Sequence, residues 1–164
     1  MRVIFGTLIF TVLVPGSVTV LVPYLLLASG LGCFYDIGGF RFVGIVLIIL
    51  GAAFYLWTAS DFTFVGKGTP APIAPPKLLV SRRLYQVNRN PMYTGVLLVL
   101  LGEAVFFMSL ALLAYAVLVW LLFHLFVVYY EEPNLRKKFG ASYEEYCRAV
   151  PRWIPGLKRT NKNG

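Results

Sequence analysis

The sequence predicts an all-α, polytopic membrane protein with about four transmembrane helices. Apolar residues make up 59% of the 164 positions, they occur in long uncharged runs, and the charged residues lie between or after those runs. Soluble domains contain roughly 45–50% apolar residues. A chain of this size has more apolar surface than a water-soluble core can bury, so lipid is its expected solvent.

The first two spans are predicted at residues 3–27 and 40–60, which are apolar and almost free of charge. About 20 helical residues cross a hydrocarbon core, so both runs are long enough. The first is too long for the apolar region of a cleaved signal peptide, roughly 7–15 residues, and no small-x-small site follows it. We therefore expect an uncleaved span, with kinks at Pro15 and Pro23.

Spans three and four are predicted as a helical hairpin over residues 92–130, a run interrupted by only a few small or polar residues. The turn is expected near Met108-Ser109, and the alternative is Gly102-Glu103. If the turn lies at Met108-Ser109, Glu103 is inside span three, and an acidic residue inside a span is a functional candidate. If the turn lies at Gly102-Glu103, Glu103 is only a loop residue.

The two N-terminal spans, residues 1–60, are expected to form one part of the protein and residues 61–164 the other. Between them lies a loop of residues 61–91, which the prolines of "TPAPIAPP" prevent from being one continuous helix. Four spans place the N-terminus, this loop and the C-terminal tail on one side. That side carries nearly all the lysines and arginines, so it is predicted to be cytoplasmic.

Several functional classes are disfavoured by composition. The net charge of +8 is explained by the positive-inside rule, and no basic stripe on a soluble fold indicates nucleic-acid binding. Cys33 and Cys147 form neither a CxxC motif nor a Cys/His cluster, and His124 stands alone in an apolar run. No metal site is expected.

The stretch "NRNPMYTG" is expected to open span three, with Asn90 as N-cap and Pro91 in the first turn. Arg89 is positioned to extend towards the headgroups. A helix N-terminus also offers free N–H groups to an anion. The stretch therefore predicts both a helix start and an anion site.

Glu131 and Glu132 directly follow the apolar run of span four. Acidic residues at a helix C-terminus are disfavoured by about 0.3–1 kcal/mol, which indicates a bound cation: either Arg89 or a ligand ammonium. Pro133 is expected to make the helix bend or restart. The hairpin brings these glutamates near the start of span three, and the two ends together suit a zwitterionic ligand.

A short helix is predicted after "SYEE", which reads as a capping box with Ser142 as N-cap and Glu145 at N3. Gly140 is expected to end the preceding helix. The aromatic and apolar face of the short helix is expected to lie on the protein or on the headgroups; it consists of Tyr143, Tyr146, Cys147 and Val150.

In these segments the chain resembles the integral-membrane methyltransferases typified by isoprenylcysteine carboxyl methyltransferase and phosphatidylethanolamine N-methyltransferase. That family carries Arg-His/Asn-Pro-x-Tyr-x-Gly, then Glu-Glu, Phe-Gly-x-x-Tyr-x-x-Tyr and Val-Pro-Arg. This sequence has "RNPMYTG", "EE", "FGASYEEY" and "VPRWIP" in the same order, and the resemblance covers about residues 67–155.

The resemblance implies a methyltransferase that uses S-adenosyl-L-methionine, with its catalytic region in residues 61–164 and a cytoplasmic cofactor pocket between the 61–91 loop and the C-terminal helices. It implies catalytic roles for Arg89, Tyr93, Glu131 and Glu132. It implies that the adenosine lies against Lys77, Leu78, Leu79, Val80 and Tyr85. The amino-acid end of the donor is then held by Asn90, Pro91, Met92, Tyr93 and Glu131.

The expected acceptor is lipid-like, of the isoprenylcysteine carboxylate or phospholipid amine type, and enters from the bilayer past Gly95, Gly102 and Glu103. An amine must lose a proton first, to Glu131, Glu132 or Tyr93. Two departures from the family pattern are Arg83, where glycine is expected, and Val127, where the carboxyl methyltransferases tend to carry arginine. The alternative is a non-catalytic four-helix membrane scaffold or small transporter subunit without donor affinity.

Overall fold

The computed structural model describes residues 2–30, 33–64 and 83–154. Within these ranges the regular elements are helices. One isolated antiparallel β-bridge pairs Phe34 with Ser109. The α-helices are α1 Arg2–Leu13, α2 Val22–Ala28, α3 Val43–Phe64, α4 Pro91–Phe106, α5 Leu110–Phe126, α6 Glu132–Phe139 and α7 Ala141–Ala149. The predicted all-α fold is confirmed for this part of the chain.

Three helical stretches are long and apolar enough to cross a membrane: Phe5–Ala28, Gly38–Asp61 and Leu110–Phe139. Helix α4 is also apolar but has only 16 residues, about 24 Å at 1.5 Å per residue. Many large apolar side chains on these helices are exposed, such as Leu8, Ile49 and Val117. Exposed apolar surface of this extent is typical of helices whose outer faces contact lipid.

The first stretch, Phe5–Ala28, departs from α-helical geometry near its two prolines, as the sequence predicts. A π-helical turn, Ser17–Leu21, lies between Pro15 and Pro23 and connects α1 to α2. Proline cannot donate the usual backbone hydrogen bond, so helices interrupt their regular pattern near it.

The hairpin turn between α4 and α5 lies at residues 107–109, which confirms the expected position; the alternative at Gly102-Glu103 is wrong because α4 continues to Phe106. Met108 has a positive φ of 54°, and the Ser109 side chain accepts a hydrogen bond from the Leu112 N–H. The Tyr35 N–H donates to the Met108 carbonyl at 3.0 Å. The connector before α3 thus closes over the turn.

Close packing of α3 against α4 depends on two pairs of glycines. Gly44 faces Gly102 and Gly51 faces Gly95, so the two helices run antiparallel. A Cβ added to Gly51 would lie 2.6 Å from the Gly95 carbonyl oxygen. Small residues allow such approach of helix backbones in a membrane. The packing holds the C-terminal end of α3 beside the N-terminal end of α4.

Helices α6 and α7 meet at Gly140, whose φ is +52°. Its N–H donates to the Arg136 carbonyl at 2.9 Å, so the predicted end of α6 is confirmed. The predicted capping box is wrong, because α7 begins at Ala141 and the Ser142 hydroxyl donates to the Phe139 carbonyl at 2.7 Å. The glycine turns the chain so sharply that Ser142 already lies inside the new helix.

We predict that Gly51→Ala destabilises the protein by about 1–3 kcal/mol, because the added methyl group cannot fit against the α4 backbone. Thermal unfolding in detergent measures the effect. Gly39→Ala is the matched control, since an added Cβ there meets nothing within 4 Å. Equal melting temperatures for the two variants would contradict the packing argument.

Candidate functional site

Polar residues from both ends of the helical hairpin and from the C-terminal segment meet at one end of the molecule. The Arg89 N–H donates to the Pro151 carbonyl at 2.9 Å, and the Tyr146 hydroxyl donates to the Tyr85 carbonyl at 2.7 Å. These bonds join the segment before α4 to α7 and to the residues that follow it. We call this end of the molecule the site.

The N-terminus of α4, where the sequence predicts an anion site, forms one part of the site. Asn90 is at the N-cap position and Pro91 in the first turn, as predicted. The Asn90 side chain does not cap the helix, however; its Nδ2 donates to the Arg152 carbonyl at 3.0 Å. Its own N–H donates to Asn88 Oδ1. Asn90 therefore connects the helix start to the C-terminal segment, and its side-chain oxygen accepts no hydrogen bond from the first-turn N–H groups.

Glu131 lies opposite this helix start. The Tyr93 hydroxyl donates to Glu131 Oε2 at 3.0 Å, so the two residues expected to face each other are in contact. The Phe123 ring packs against Tyr93 with centroids 4.7 Å apart. Within the described ranges Glu131 forms no ion pair, which distinguishes it from its neighbour.

Glu132 is surrounded by arginines. Its side chain is only 3% exposed. Arg152 binds it in bidentate fashion at 2.7 and 3.0 Å, Arg89 Nη1 lies 3.2 Å away, and Arg136 Nη2 lies at 3.5 Å. The bond to Glu132 raises the pKa of the Arg152 guanidinium. A buried carboxylate requires such partners. For Glu132, the cation expected from the sequence is therefore an arginine of the protein and not a ligand.

The helix does not end at the glutamates. Helical structure continues from Leu110 to Phe139, so the expected dipole penalty of a helix C-terminus does not apply. A π-helical turn, Val127–Glu131, precedes Pro133, and the Glu132 N–H bonds the Val127 carbonyl five residues earlier. A bend or a restart is expected at Pro133; in the structure the π-helical turn passes directly into α6 at Glu132, and the helix is not broken.

Arg89 is inside the protein. Its side chain is 11% exposed, and besides Glu132 it binds Cys147 Sγ of α7 through Nη1 at 2.6 Å. The expectation that Arg89 extends to the headgroups is therefore wrong. Its guanidinium instead ties the start of α4 to α6 and α7.

Tyr85 and Tyr146 are two aromatic residues of the site, and a hydrogen bond joins them. Tyr85 is buried, and burial, followed by the negative charge of Glu131, raises the pKa of its hydroxyl well above the usual range. Burial also raises the pKa of Tyr146. Both hydroxyls are therefore neutral at physiological pH and act as hydrogen-bonding groups.

One acidic site residue was missed by the sequence reasoning. Asp61, near the end of α3, is 3% exposed and its Oδ1 lies 3.0 Å from Arg83 Nη1. Arg83 has a φ of +53°, the left-handed region that favours glycine, at the position where the family pattern has glycine. In the sequence Asp61 is only a charge after an apolar run, and nothing there indicates that it is buried.

His124 and the C-terminal segment contact each other beside Tyr93. The Trp153 Nε1–H donates to His124 Nδ1 at 3.1 Å, and the Trp120 ring stacks on the imidazole with centroids 5.6 Å apart. Trp153 also lies 6.5 Å from the Tyr93 ring, centroid to centroid. The role that the sequence left open for His124 thus includes holding this tryptophan.

Gly95 and Gly102 do not line a route for an acceptor, because both are packed against α3. An apolar groove lies on another face of α4, against α5. It is wholly apolar, has a volume of about 170 Å³, and is lined by Leu97, Leu101, Ala116, Val117 and Trp120. Glu103 remains within α4.

Some expectations are not tested by this geometry. Lys77, Leu78, Leu79 and Val80, expected to line the adenosine, lie outside the described residues. Among the residues that are described, no group of three or more His, Cys, Asp or Glu side chains is arranged to hold a metal ion.

We predict that Glu132→Gln lowers the free energy of unfolding by about 3 kcal/mol, because Arg89 loses its carboxylate partner inside the protein. Glu144→Gln is the matched control. Glu144 binds the same Arg136, at 2.8 Å, but is exposed, and such pairs contribute less than about 1 kcal/mol. Denaturant unfolding in detergent distinguishes the two, and similar losses would argue against a structural role for Glu132.

Comparison with known proteins places the chain in a family. The Arabidopsis thaliana protein-S-isoprenylcysteine O-methyltransferase B is 37% identical over 78 residues, which is 47% of this chain and 39% of that protein. A probable protein-S-isoprenylcysteine O-methyltransferase of Oryza sativa subsp. indica is 29% identical over 122 residues, 71% of this chain and 62% of that protein. The chain thus spans less than two thirds of the length of either relative. The family model described as phospholipid methyltransferase matches residues 40–142, more than half of the sequence, and the chain therefore belongs to the phospholipid methyltransferase family.

Proposed function

We propose that this protein is an S-adenosyl-L-methionine-dependent methyltransferase that acts on a lipid-like acceptor in the membrane, with its catalytic region in residues 61–164. The observation that carries the proposal is Glu131: a carboxylate bonded to Tyr93 and without an ion pair among the described residues, opposite the start of α4. Membership of the phospholipid methyltransferase family supports it, as do the names of the two plant relatives.

The polar groups of the site fit the amino-acid end of such a donor. A carboxylate suits the first-turn N–H groups of α4, which the Asn90 side chain leaves uncapped. An ammonium suits Glu131, since the adjacent Glu132 already binds arginines. Met92 and Tyr93 follow Pro91 in the first turn, so the backbone donors there lie close to Tyr93.

When bound, the donor supplies an electrophilic methyl group, and its sulfur keeps the carbon–sulfur electron pair as the methyl leaves. The protein's task is to hold the two reactants in line and to exclude water. The rings of Trp153 and Phe123 lie beside Tyr93, and they supply apolar surface for such exclusion.

The predicted catalytic residues have two kinds of role in this proposal. Tyr93 and Glu131 contact the donor, and for an amine acceptor Glu131 is the group that takes the proton. Arg89 and Glu132 are positioning residues, because their polar groups bind each other and the C-terminal helices. Their ion pair fixes the start of α4 relative to α6.

The acceptor's hydrocarbon chain is proposed to lie in the apolar groove between α4 and α5. Leu97 is one helical turn beyond Tyr93, so the groove leads from the lipid-facing surface towards the site. The positive-inside pattern of the sequence supports a cytoplasmic N-terminus, 61–91 loop and C-terminus. The donor then enters from the cytoplasm and the acceptor from the bilayer.

We predict that the purified protein binds S-adenosylmethionine in detergent and that Glu131→Gln weakens the affinity at least tenfold, because the ammonium loses its charged partner. Isothermal titration calorimetry measures both. Glu145→Gln, an exposed position on α7, is the control and retains wild-type affinity. A folded wild-type protein that gives no binding would refute the enzyme proposal and favour a non-catalytic scaffold.

We predict that labelled methyl groups are transferred to an acceptor with a hydrocarbon chain. The isolated water-soluble headgroup of the same acceptor should not be methylated, because it has no chain to occupy the groove. An isoprenylcysteine analogue and phosphatidylethanolamine are compared in the same detergent. Preference for the first assigns a carboxylate acceptor, and preference for the second an amine. Equal transfer to a soluble headgroup would contradict the role of the groove.

A further inference from the structure

Asp61 carries a buried polar atom that the protein does not satisfy. One carboxylate oxygen, Oδ1, binds Arg83 at 3.0 Å. The other, Oδ2, is buried and has no hydrogen-bond partner among the described residues. Buried polar atoms without a partner are rare because each costs free energy. Both oxygens of buried Glu132, by contrast, are bonded.

Asp61 belongs to the same polar cluster as the proposed donor site. The negative charges of Glu131 and Asp61 both act on the Tyr85 hydroxyl, so both carboxylates lie in its neighbourhood. The close packing of α3 on α4 places Asp61 near the start of α4. The two carboxylates are therefore candidates to hold different parts of one ligand.

The charge balance limits which ligand group suits Asp61. Arg83 already neutralises the carboxylate, whereas Glu131 has no ion pair within the described ranges. A ligand ammonium is therefore best placed at Glu131, and a neutral hydrogen-bond donor at Asp61. Vicinal hydroxyls of a ribose are neutral donors, and acidic side chains bind them in other nucleotide sites.

We propose that Asp61 binds the ribose hydroxyls of the methyl donor through Oδ2, while Arg83 holds the carboxylate in place. The assignment rests on the proposed methyltransferase function and adds the residue that recognises the nucleoside. It makes Asp61 a binding residue on α3, an element that contributes no other side chain to the proposed donor contacts.

Donor binding by calorimetry tests the assignment with three proteins and two ligands. The proteins are the wild type, Asp61→Asn and Arg83→Gln; the ligands are S-adenosylmethionine and its analogue without the 2′ and 3′ hydroxyls. We expect Asp61→Asn to bind S-adenosylmethionine about tenfold more weakly. The analogue should bind the wild type about tenfold more weakly, with no further loss in Asp61→Asn. Arg83→Gln should lose less than threefold.

Two results would overturn the assignment alone: unchanged affinity of Asp61→Asn, or equal losses in Asp61→Asn and Arg83→Gln, which would make Asp61 only an anchor for Arg83. A wild type that binds neither ligand overturns the methyltransferase proposal itself and the assignment with it. If Asp61→Asn does not fold, Asp61→Ser replaces it, with thermal unfolding as the check and the same expected loss.

Discussion

The buried carboxylate of Glu132 is the interaction on which the rest of the site depends. Three arginines reach it from three segments: Arg89 from the start of α4, Arg136 from α6 and Arg152 from the C-terminal segment. Two of these segments carry a site residue next to the arginine, namely Asn90 beside Arg89 and Trp153 beside Arg152. Removing the carboxylate would leave like charges together, and the segments would separate.

The glycine contacts between α3 and α4 set the second constraint. Because Gly51 lies against Gly95 in an antiparallel packing, the C-terminal end of α3 extends past Tyr93 towards the segment that precedes α4. From there the charge of Asp61 acts on Tyr85, as does the charge of Glu131. Bulkier residues at the helix contact would move Asp61 away, so packing inside the membrane determines the geometry of the polar end.

The sequence was sufficient for features that depend on local chemistry. The long apolar runs predicted the helices and Pro91 marked the start of α4, whereas the hairpin turn was narrowed to Met108-Ser109 or Gly102-Glu103 and the structure decides for the first. Features that depend on tertiary contacts were not predictable. Ser142 has the pattern of a cap, but Gly140 starts α7 earlier. Asp61 has no sequence signal, because its burial comes from segments distant along the chain.

The different partners of the two adjacent glutamates follow from helix geometry. Consecutive residues on a helix point about 100° apart, so Glu131 and Glu132 cannot face the same group. The π-helical turn before Pro133 fixes which way each one points: Glu131 towards Tyr93 of α4, and Glu132 towards the arginines. The two glutamates look like one motif in the sequence but have different roles: Glu131 binds the ligand, as we propose, and Glu132 holds the segments of the site together. The charge of Glu131 stays available for a ligand only because the arginines nearby are bound to Glu132.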